Sequence, residues 1–493
     1  MKRQRSIFFA VIPFLILVLS NCNREKHYPN IIFILADDLG YGDLRCYNED
    51  SKIPTPNIDK LAFGGIMFTD AHTPSTVCSP TRYALLTGRY AWREPRLTRG
   101  VLGMDDLPVI EIERLTVADM LKRSGYITAA VGKWHLGLEW QLLDTGGPIS
   151  VSNIDWSKPQ LSGLREQGFD YSFSLGWPGW TFTENNTATA VPDVWFDLDS
   201  IGDVLIGANN IKGYRSSDYS HEKMLPKFTE KALEFIRYAS ADDSPFFLYF
   251  SPMCPHKPVV PNNEFKGTSE AGMYGDFVNE LDYSVGLILK ELENLKISEN
   301  TLIILSSDNG PETTAYDRIS NTGHYSMDGL RGVKRDLWEG GHRVPFILNW
   351  PEEVKAPSKS DKTICLVDII ATVADIIGYD IKEHEAEDSF SFLNLIGGKH
   401  GETFSRGPVV FHSPRGKHAI REGDWVYIDA PSGDMNNEPY WFRNKLGVFD
   451  IPDEFELFNL SKDPKQARNL YSAFPEKAKE LKEKLDSIRA GLN

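Results

Sequence analysis

Two carboxylates in succession, Asp37 and Asp38, end the apolar run NIIFILA, and a third acid followed by an amide, Asp308 and Asn309, ends the run TLIILSS. Adjacent carboxylates repel, and burying them without compensation is costly. A divalent cation removes both penalties. An oxygen-only donor set selects a hard ion, Ca2+ or Mg2+, over Zn2+. Either pair alone also suits a helix cap or a turn; it is the recurrence at two comparable run ends that points to a metal. Cys78, in VCSPTRYALLTGRY, is the odd neighbour. Ser79 suits a helix cap, Pro80 a first turn and Gly88 a helix end, which puts the cysteine just before the positive end of a short helix, where an anion is favoured. A thiolate there is a nucleophile, yet soft sulfur is mismatched beside a hard-ion cage.

These groups need a frame. The runs that precede them, together with YITAAVG before Lys133-Trp134-His135 and FFLYFS before the segment PMCPHKP with His256, are apolar without alternation. That pattern predicts strands buried on both faces of a mainly parallel sheet, an α/β fold in which ligands bind beyond the carboxyl ends of the strands. Helical patterns such as LTVADMLKRSG and YGDFVNELDYSVGLILKELENL lie between them. After about residue 385 the texture changes to short runs, PVVFHS, KHAIREGDWVYIDA and FELFNL, followed by the charged PEKAKELKEKLDSIRAG. This predicts a smaller antiparallel sheet with a terminal helix. The expected organisation is a catalytic unit over 28–384 and a C-terminal α+β unit over 385–493. The stretch 139–220, rich in Gly, Asn, Trp and Tyr, reads as a variable insertion over one edge of the sheet. Its Tyr171, Trp177 and Trp180 suit either sugar stacking or a small core of their own.

The chain has 493 residues, long enough for a large α/β core with an appendage, and a net charge of -16. No broad basic field is available, so a nucleic-acid partner is excluded. Residues 1–22 carry Lys2, Arg3 and Arg5 ahead of an apolar stretch from Ile7 to Leu19, short for a membrane span and suited to a secretory signal. Its end, Leu19-Ser20-Asn21-Cys22, resembles the bacterial lipobox. Cleavage before Cys22 and a lipid on that residue would attach an exported lipoprotein to a membrane, in the periplasm or at the outer-membrane surface. The other cysteines are widely spaced, with neither a zinc ribbon nor a dense disulfide framework.

The pentapeptide Cys78-Ser79-Pro80-Thr81-Arg82, continuing into Leu86-Thr87-Gly88-Arg89, resembles the signature of the type I sulfatases. ADDLGYGD, TPNIDKLAFGGIMFTDAH, VGKWHLG, SPMCPHKP, SSDNG and GLRGVKRDLWEGGHRVP follow the family order from about Pro29 to Pro351, and ELFNLSKDP matches more weakly. The resemblance implies an alkaline-phosphatase-like fold and a formylglycine formed from Cys78 by a formylglycine-generating maturation enzyme. It also implies one calcium ion held by Asp37, Asp38, Asp308, Asn309 and the modified Cys78. Arg82 would hold the modified side chain, with Lys133, Lys334, His135 and His256 around the sulfate. The implied reaction has two steps, with Asp308 helping to activate the nucleophile, His256 as acid to the leaving alcohol and His135 as the base that releases sulfate. Arg331 and Arg343 suit salt bridges in the glycine-rich loop as well as substrate contact. The pattern is most similar to arylsulfatases and galactose or N-acetylgalactosamine 6-sulfatases, which implies a sulfated carbohydrate substrate. Two other readings stay open. One is a phosphatase or phosphodiesterase of the same superfamily, which would need two zinc ions and a histidine where Asn309 stands. The other is a non-catalytic lipoprotein that binds sulfated glycans with Cys78 unmodified.

Overall fold

A computed structural model describes residues 28–103, 105–198, 212–396, 404, 406–435, 438–448 and 453–491. The leader and Cys22 lie outside the described residues. Ten strands form one sheet. Its centre is parallel, in the spatial order Thr301–Ser307, Asn30–Ala36, Phe246–Ser251, Ile127–Gly132 and Tyr171–Gly176. Antiparallel neighbours flank it: Phe346–Asn349 then Ile66–Phe68 on one side, Thr181–Glu184 then Thr187–Ala188 on the other. The sheet is therefore mixed and mainly parallel.

The unbroken apolar runs serve two cores at once, because successive strand residues face opposite sides. Ile31, Phe33 and Leu35 join one cluster with Leu85, Leu86, Met120, Leu121 and Val373. Ile32 and Ile34 join the other with Phe228, Phe235, Phe277 and Leu281. Helices Cys78–Thr87, Val117–Arg123 and Ile369–Ile377 cover the first face, and Pro56–Phe63, His221–Ala239 and Gly272–Leu295 the second. A charged residue in the middle of Asn30–Ala36, Phe246–Ser251 or Thr301–Ser307 would spoil one of these layers.

Towards the C-terminus, Val409–His412, His418–Glu422, Trp425–Ile428 and Glu456–Asn459 form a four-stranded antiparallel sheet. The helix Pro475–Ala490 buries Ala478, Leu481 and Leu485 against it. The same cluster takes in Ala84 and Tyr90, so this unit braces the helix that begins at Cys78. The brace is also polar: Thr76 N and Ser75 Oγ both donate to the His412 carbonyl, at 3.1 and 3.0 Å.

Two details differ from the sequence reading. Part of 139–220 is regular: its strands Tyr171–Gly176, Thr181–Glu184 and Thr187–Ala188 extend the main sheet, and Val194–Asp197 pairs with Lys212–Arg215. The signal is the alternation in YSFSLG, whose Phe173 and Leu175 enter the core. The short helix also starts two residues earlier than Ser79 as cap would give. Val77, in extended backbone, is the cap residue, and Ser79 Oγ instead accepts from Leu102 N at 3.3 Å. Gly88 ends the helix in the left-handed conformation, as its type suggests.

Candidate active site

Strand register brings the chemistry to one level. Ala36 pairs with Ser307 and Ser251 with Gly132, so Asp37, Asp308, Pro252 and Lys133 step off adjacent strands together. Backbone bonds continue the ladder past the strands: Asp308 N donates to Ala36 O at 3.1 Å, Asp37 N to Cys254 O at 3.0 Å and Lys133 N to Ser251 O at 2.7 Å. Gly132 is needed for this. Its φ is +118°, and a Cβ there would lie 2.1 Å from Ser251 O.

Asp37, Asp38, Asp308 and Asn309 are all fully buried. Arg82 underpins them from one turn into the helix. It donates through Nε and Nη2 to Asp308 Oδ2 at 3.0 and 2.8 Å, through Nη2 to Asp37 Oδ2 at 3.3 Å, and through Nη1 to Lys133 O and Ser251 Oγ. None of these bonds goes to Cys78: the guanidinium organises the acids. Lys133 Nζ lies 2.7 Å from Asp37 Oδ2, and Lys334 Nζ 2.5 Å from Asp38 Oδ1. Asn309 Nδ2 donates to the same Asp38 oxygen at 2.6 Å. Burial acts to raise Asp37, but Lys133, His256 and Arg82 outweigh it and hold that carboxyl well below the usual range. Burial and then the charge of Asp37 push Asp308 upward. Burial acts against the charge on Lys334, yet Asp38 and its neighbours hold that amine above the usual lysine value.

Three buried oxygens remain without a hydrogen-bond partner: Asp37 Oδ1, Asp38 Oδ2 and Asn309 Oδ1. Leaving such atoms unmatched is expensive, and oxygen donors of this kind are the ligands of a hard cation. Oxygens of Asp37 and Asp38 and a ring nitrogen of His256 also lie within 4.8 Å of one another. The donor set therefore fits a hard cation such as the calcium ion that the family resemblance implies.

Cys78 Sγ sits 3.3 Å from His135 Nδ1. The other nitrogen of that ring, Nε2, lies 3.0 Å from Leu102 O and must carry a proton to bond it, so the lone pair of Nδ1 points at position 78. Burial, then Lys133 and Arg82, lower His135 to about 3. His256 Nδ1 donates to Lys257 O at 2.5 Å, which leaves Nε2 as the working nitrogen, 3.9 Å from Asp38 Oδ2. Burial and Lys133 lower His256 to about 4. Both rings are neutral bases near neutral pH. Cys78, Lys133, His135, His256 and Lys334 line one pocket of about 840 Å³.

The profile of the sulfatase family matches residues 29–379 of this chain. The chain belongs to the sulfatase family. It is 33% identical, over 524 aligned residues, to an N-acetylgalactosamine-6-O-sulfatase of Bacteroides thetaiotaomicron, with 96% of this chain and 97% of that one covered. Human arylsulfatase A is 32% identical, with 94% and 88% covered. A solved structure, described with the metabolism of multiple glycosaminoglycans by Bacteroides thetaiotaomicron, has a TM-score of 0.80 and 32% identity, covering 94% of this chain and 100% of that chain. The protein is thus a sulfuric ester hydrolase.

Not every polar residue flagged in the sequence of this sulfatase reaches the pocket. Arg331 pairs with Glu438 at 3.0 Å and covers the Trp338 ring at 3.6 Å. Arg343 is held by Glu339 and Asp70 at 2.6 and 2.9 Å. Both serve as braces of the glycine-rich loop. Tyr171 stacks on Phe235 and donates to Glu184, so it belongs to the core. Trp177 and Trp180 both line the pocket and touch edge to face at 4.2 Å. Sequence reasoning passed over Ser251, Glu312, Lys257 and Arg335. The last two were adjacent to residues already singled out, in PHKP and GLRGVKRD.

Proposed function

We propose that this sulfatase hydrolyses sulfate esters of glycans, with 6-sulfated galactose or N-acetylgalactosamine as the reacting unit. The substrate reading is supported by the relative named N-acetylgalactosamine-6-O-sulfatase, aligned over nearly the full length of both chains. One observation carries the mechanism: three unpartnered, buried oxygens on Asp37, Asp38 and Asn309, the two acids being paired to Lys133 and Lys334, which line the same pocket as Cys78 and His135. Calcium held by Asp37, Asp38, Asp308, Asn309 and an oxygen at position 78 would supply Lewis acidity, and formylglycine made from Cys78 by its maturation enzyme would supply that oxygen as nucleophile.

The other duties fall to the chain's own side chains. The acids Asp37, Asp38 and Asp308 are matched by Arg82, Lys133 and Lys334, three charges against three. A divalent ion added to that balance leaves the pocket two charges positive, suited to an anionic ester. Lys133 and Lys334 sit where they can shift toward sulfuryl oxygens as these gain charge in the transition state. His135 Nδ1 is aimed to take a proton from the side chain at position 78. His256 Nε2, with its partner nitrogen fixed, stands ready to bond the leaving oxygen; a bound anion favours the protonated ring there, which lets it act as acid.

The leader supports an exported lipoprotein, attached to a membrane through Cys22 and acting in the periplasm or at the outer surface. Among the described residues, no helix is long and apolar enough to cross a membrane. The decisive test joins two measurements on protein from its native host: the mass of the peptide containing Cys78, and sulfate release from a panel of sulfated monosaccharides differing in sulfate position. The expected result is an aldehyde or its hydrate at 78 and preferential release from the 6-sulfated galacto sugars. A thiol throughout an inactive population would favour a sulfated-glycan-binding lipoprotein instead.

A further inference from the structure

Beside the sulfate-binding end of the pocket lies an ion cluster that the hydrolytic chemistry leaves unused. Glu312, nearly buried, receives Arg335 through Nη1 and Nη2 at 2.6 and 3.0 Å, and Lys257 Nζ at 3.2 Å. The bidentate arginine alone neutralises the carboxylate. Lys257 is then a surplus positive charge. The side chains of Lys257 and Arg335 are 33% and 27% exposed, against 8% for Glu312, and both line the same pocket as Cys78, His256 and Lys334. Glu312 itself does not line it. The carboxylate is thus a hidden anchor that aims two cations into the substrate space. Burial acts to raise Glu312, but Arg335, Lys334 and Lys257 keep it firmly ionised.

Arg335 also occupies a strained backbone position. Its φ is +82°, costly for a residue with a side chain, and it is fixed by a bond from its own N–H to Thr76 O at 3.0 Å. It follows Lys334 directly, so the turn that delivers a lysine to Asp38 delivers the arginine to Glu312. Further out, Arg415, 58% exposed, bonded to Asp434 O at 3.4 Å and 3.9 Å from its carboxylate, and the exposed Lys212 continue the positive rim. On a chain of net charge -16 this is a local reversal of sign at the mouth of one cavity.

We propose that Lys257 and Arg335, aimed by Glu312, form a second anion subsite that binds a carboxylate or a second sulfate on the sugar unit next to the one that loses its sulfate. This rests on the glycan sulfatase reading above and deepens it: the preferred substrate is a polyanionic oligosaccharide rather than a singly charged sugar.

The test uses three disaccharides that share one 6-sulfated galacto unit and differ in the neighbour: a neutral hexose, a hexuronate, or a sulfated hexose. The wild-type enzyme should favour one or both anionic neighbours over the neutral one by about tenfold in kcat/KM, the scale of one charged hydrogen bond. The uronate and sulfate arms separate the two sources of charge. In Lys257→Met, which keeps the apolar stem, that ratio should fall towards unity, and Arg335→Met should act in the same direction. An equal kcat/KM for all three substrates in the wild type, or an unchanged ratio in Lys257→Met, overturns the subsite. Calorimetric binding of the same disaccharides in a Cys78→Ala background reads the preference without turnover. Preference retained there while the wild type releases no sulfate would sink the hydrolase reading and keep the subsite; sulfate release without preference in either assay would do the reverse.

Discussion

Two of the buried knots of charge among the described residues resemble one another until their oxygens are counted. Around Asp37, Asp38 and Asp308 stand Arg82, Lys133 and Lys334; around Asp70 and Glu339 stand Arg343 and Arg421. Charge is matched in both. In the second knot, Asp70 takes both arms of Arg421 at 2.7 Å, His72 Nε2 at 2.9 Å and Thr363 Oγ1 at 2.6 Å. Glu339 Oε1 alone is left over there. In the first, three oxygens are left over, and the knot opens on a pocket. The second network nearly finishes itself, whereas the one proposed to be catalytic leaves atoms for a ligand to finish. Paired His and Glu donors occur in the second knot too, as His72, His342 and Glu339, so residue type alone would not have told them apart.

The comparison can be broken by substitution. Cys78→Ala should remove turnover by at least about a thousandfold while leaving the melting temperature unchanged, because it deletes the proposed nucleophile and no buried polar partner other than His135. Sulfate release and a thermal melt on the same preparation check this, and retained activity would contradict the assignment. Next in size, Asp308→Ala should lower activity by about a hundredfold and reduce bound calcium measured by atomic emission. Full calcium occupancy in that variant would move the ion elsewhere. On the other knot the signs reverse. Arg421→Met removes two bonds to Asp70, which keeps Arg343, His72 and Thr363, and should cost about 2 kcal/mol in chemical denaturation, with calcium content untouched.

The smallest effect concerns pH. Burial lowers His412 from 6.5 to about 4, and His418, also buried, from 6.5 to about 3. The fold therefore binds fewer protons than the unfolded chain between those limits. Stability is intact above pH 6.5, falls as pH drops through that window, and levels off below the folded values. His412→Gln should flatten the decline of melting temperature between pH 6.5 and 4. An unaltered slope would place the acid sensitivity in other groups.

How much of this was legible beforehand depended on sequence distance. Strand ends announced themselves, because apolar runs broken by Asp, Lys or His need no partner to be recognised; hence Asp37, Asp308, Lys133 and His256 were readable. Whatever depends on a meeting across the fold was not. That Arg82 would turn to Asp308 and Ser251, or that Glu312 would gather Lys257 and Arg335, is set by how loops return over the sheet. The helix start was misjudged for a local reason. A Ser-Pro pair reads as a cap and first turn, but Val77 already stands in extended backbone and Leu102 claims the Ser79 hydroxyl. The edge strands were hidden by aromatic and glycine residues that mimic loop composition.

Asp38, His135 and Arg335 share one trait, a left-handed backbone at φ of +67°, +58° and +82°, which glycine adopts more readily than any of them. At each place glycine would relax the main chain, a gain set against the buried partners that the side chain would leave behind: Lys334 for Asp38, Leu102 O for His135 and Glu312 for Arg335. Gly or Asn at these three positions, above an otherwise unchanged strand frame, would mark a relative that has kept the scaffold and retired from chemistry.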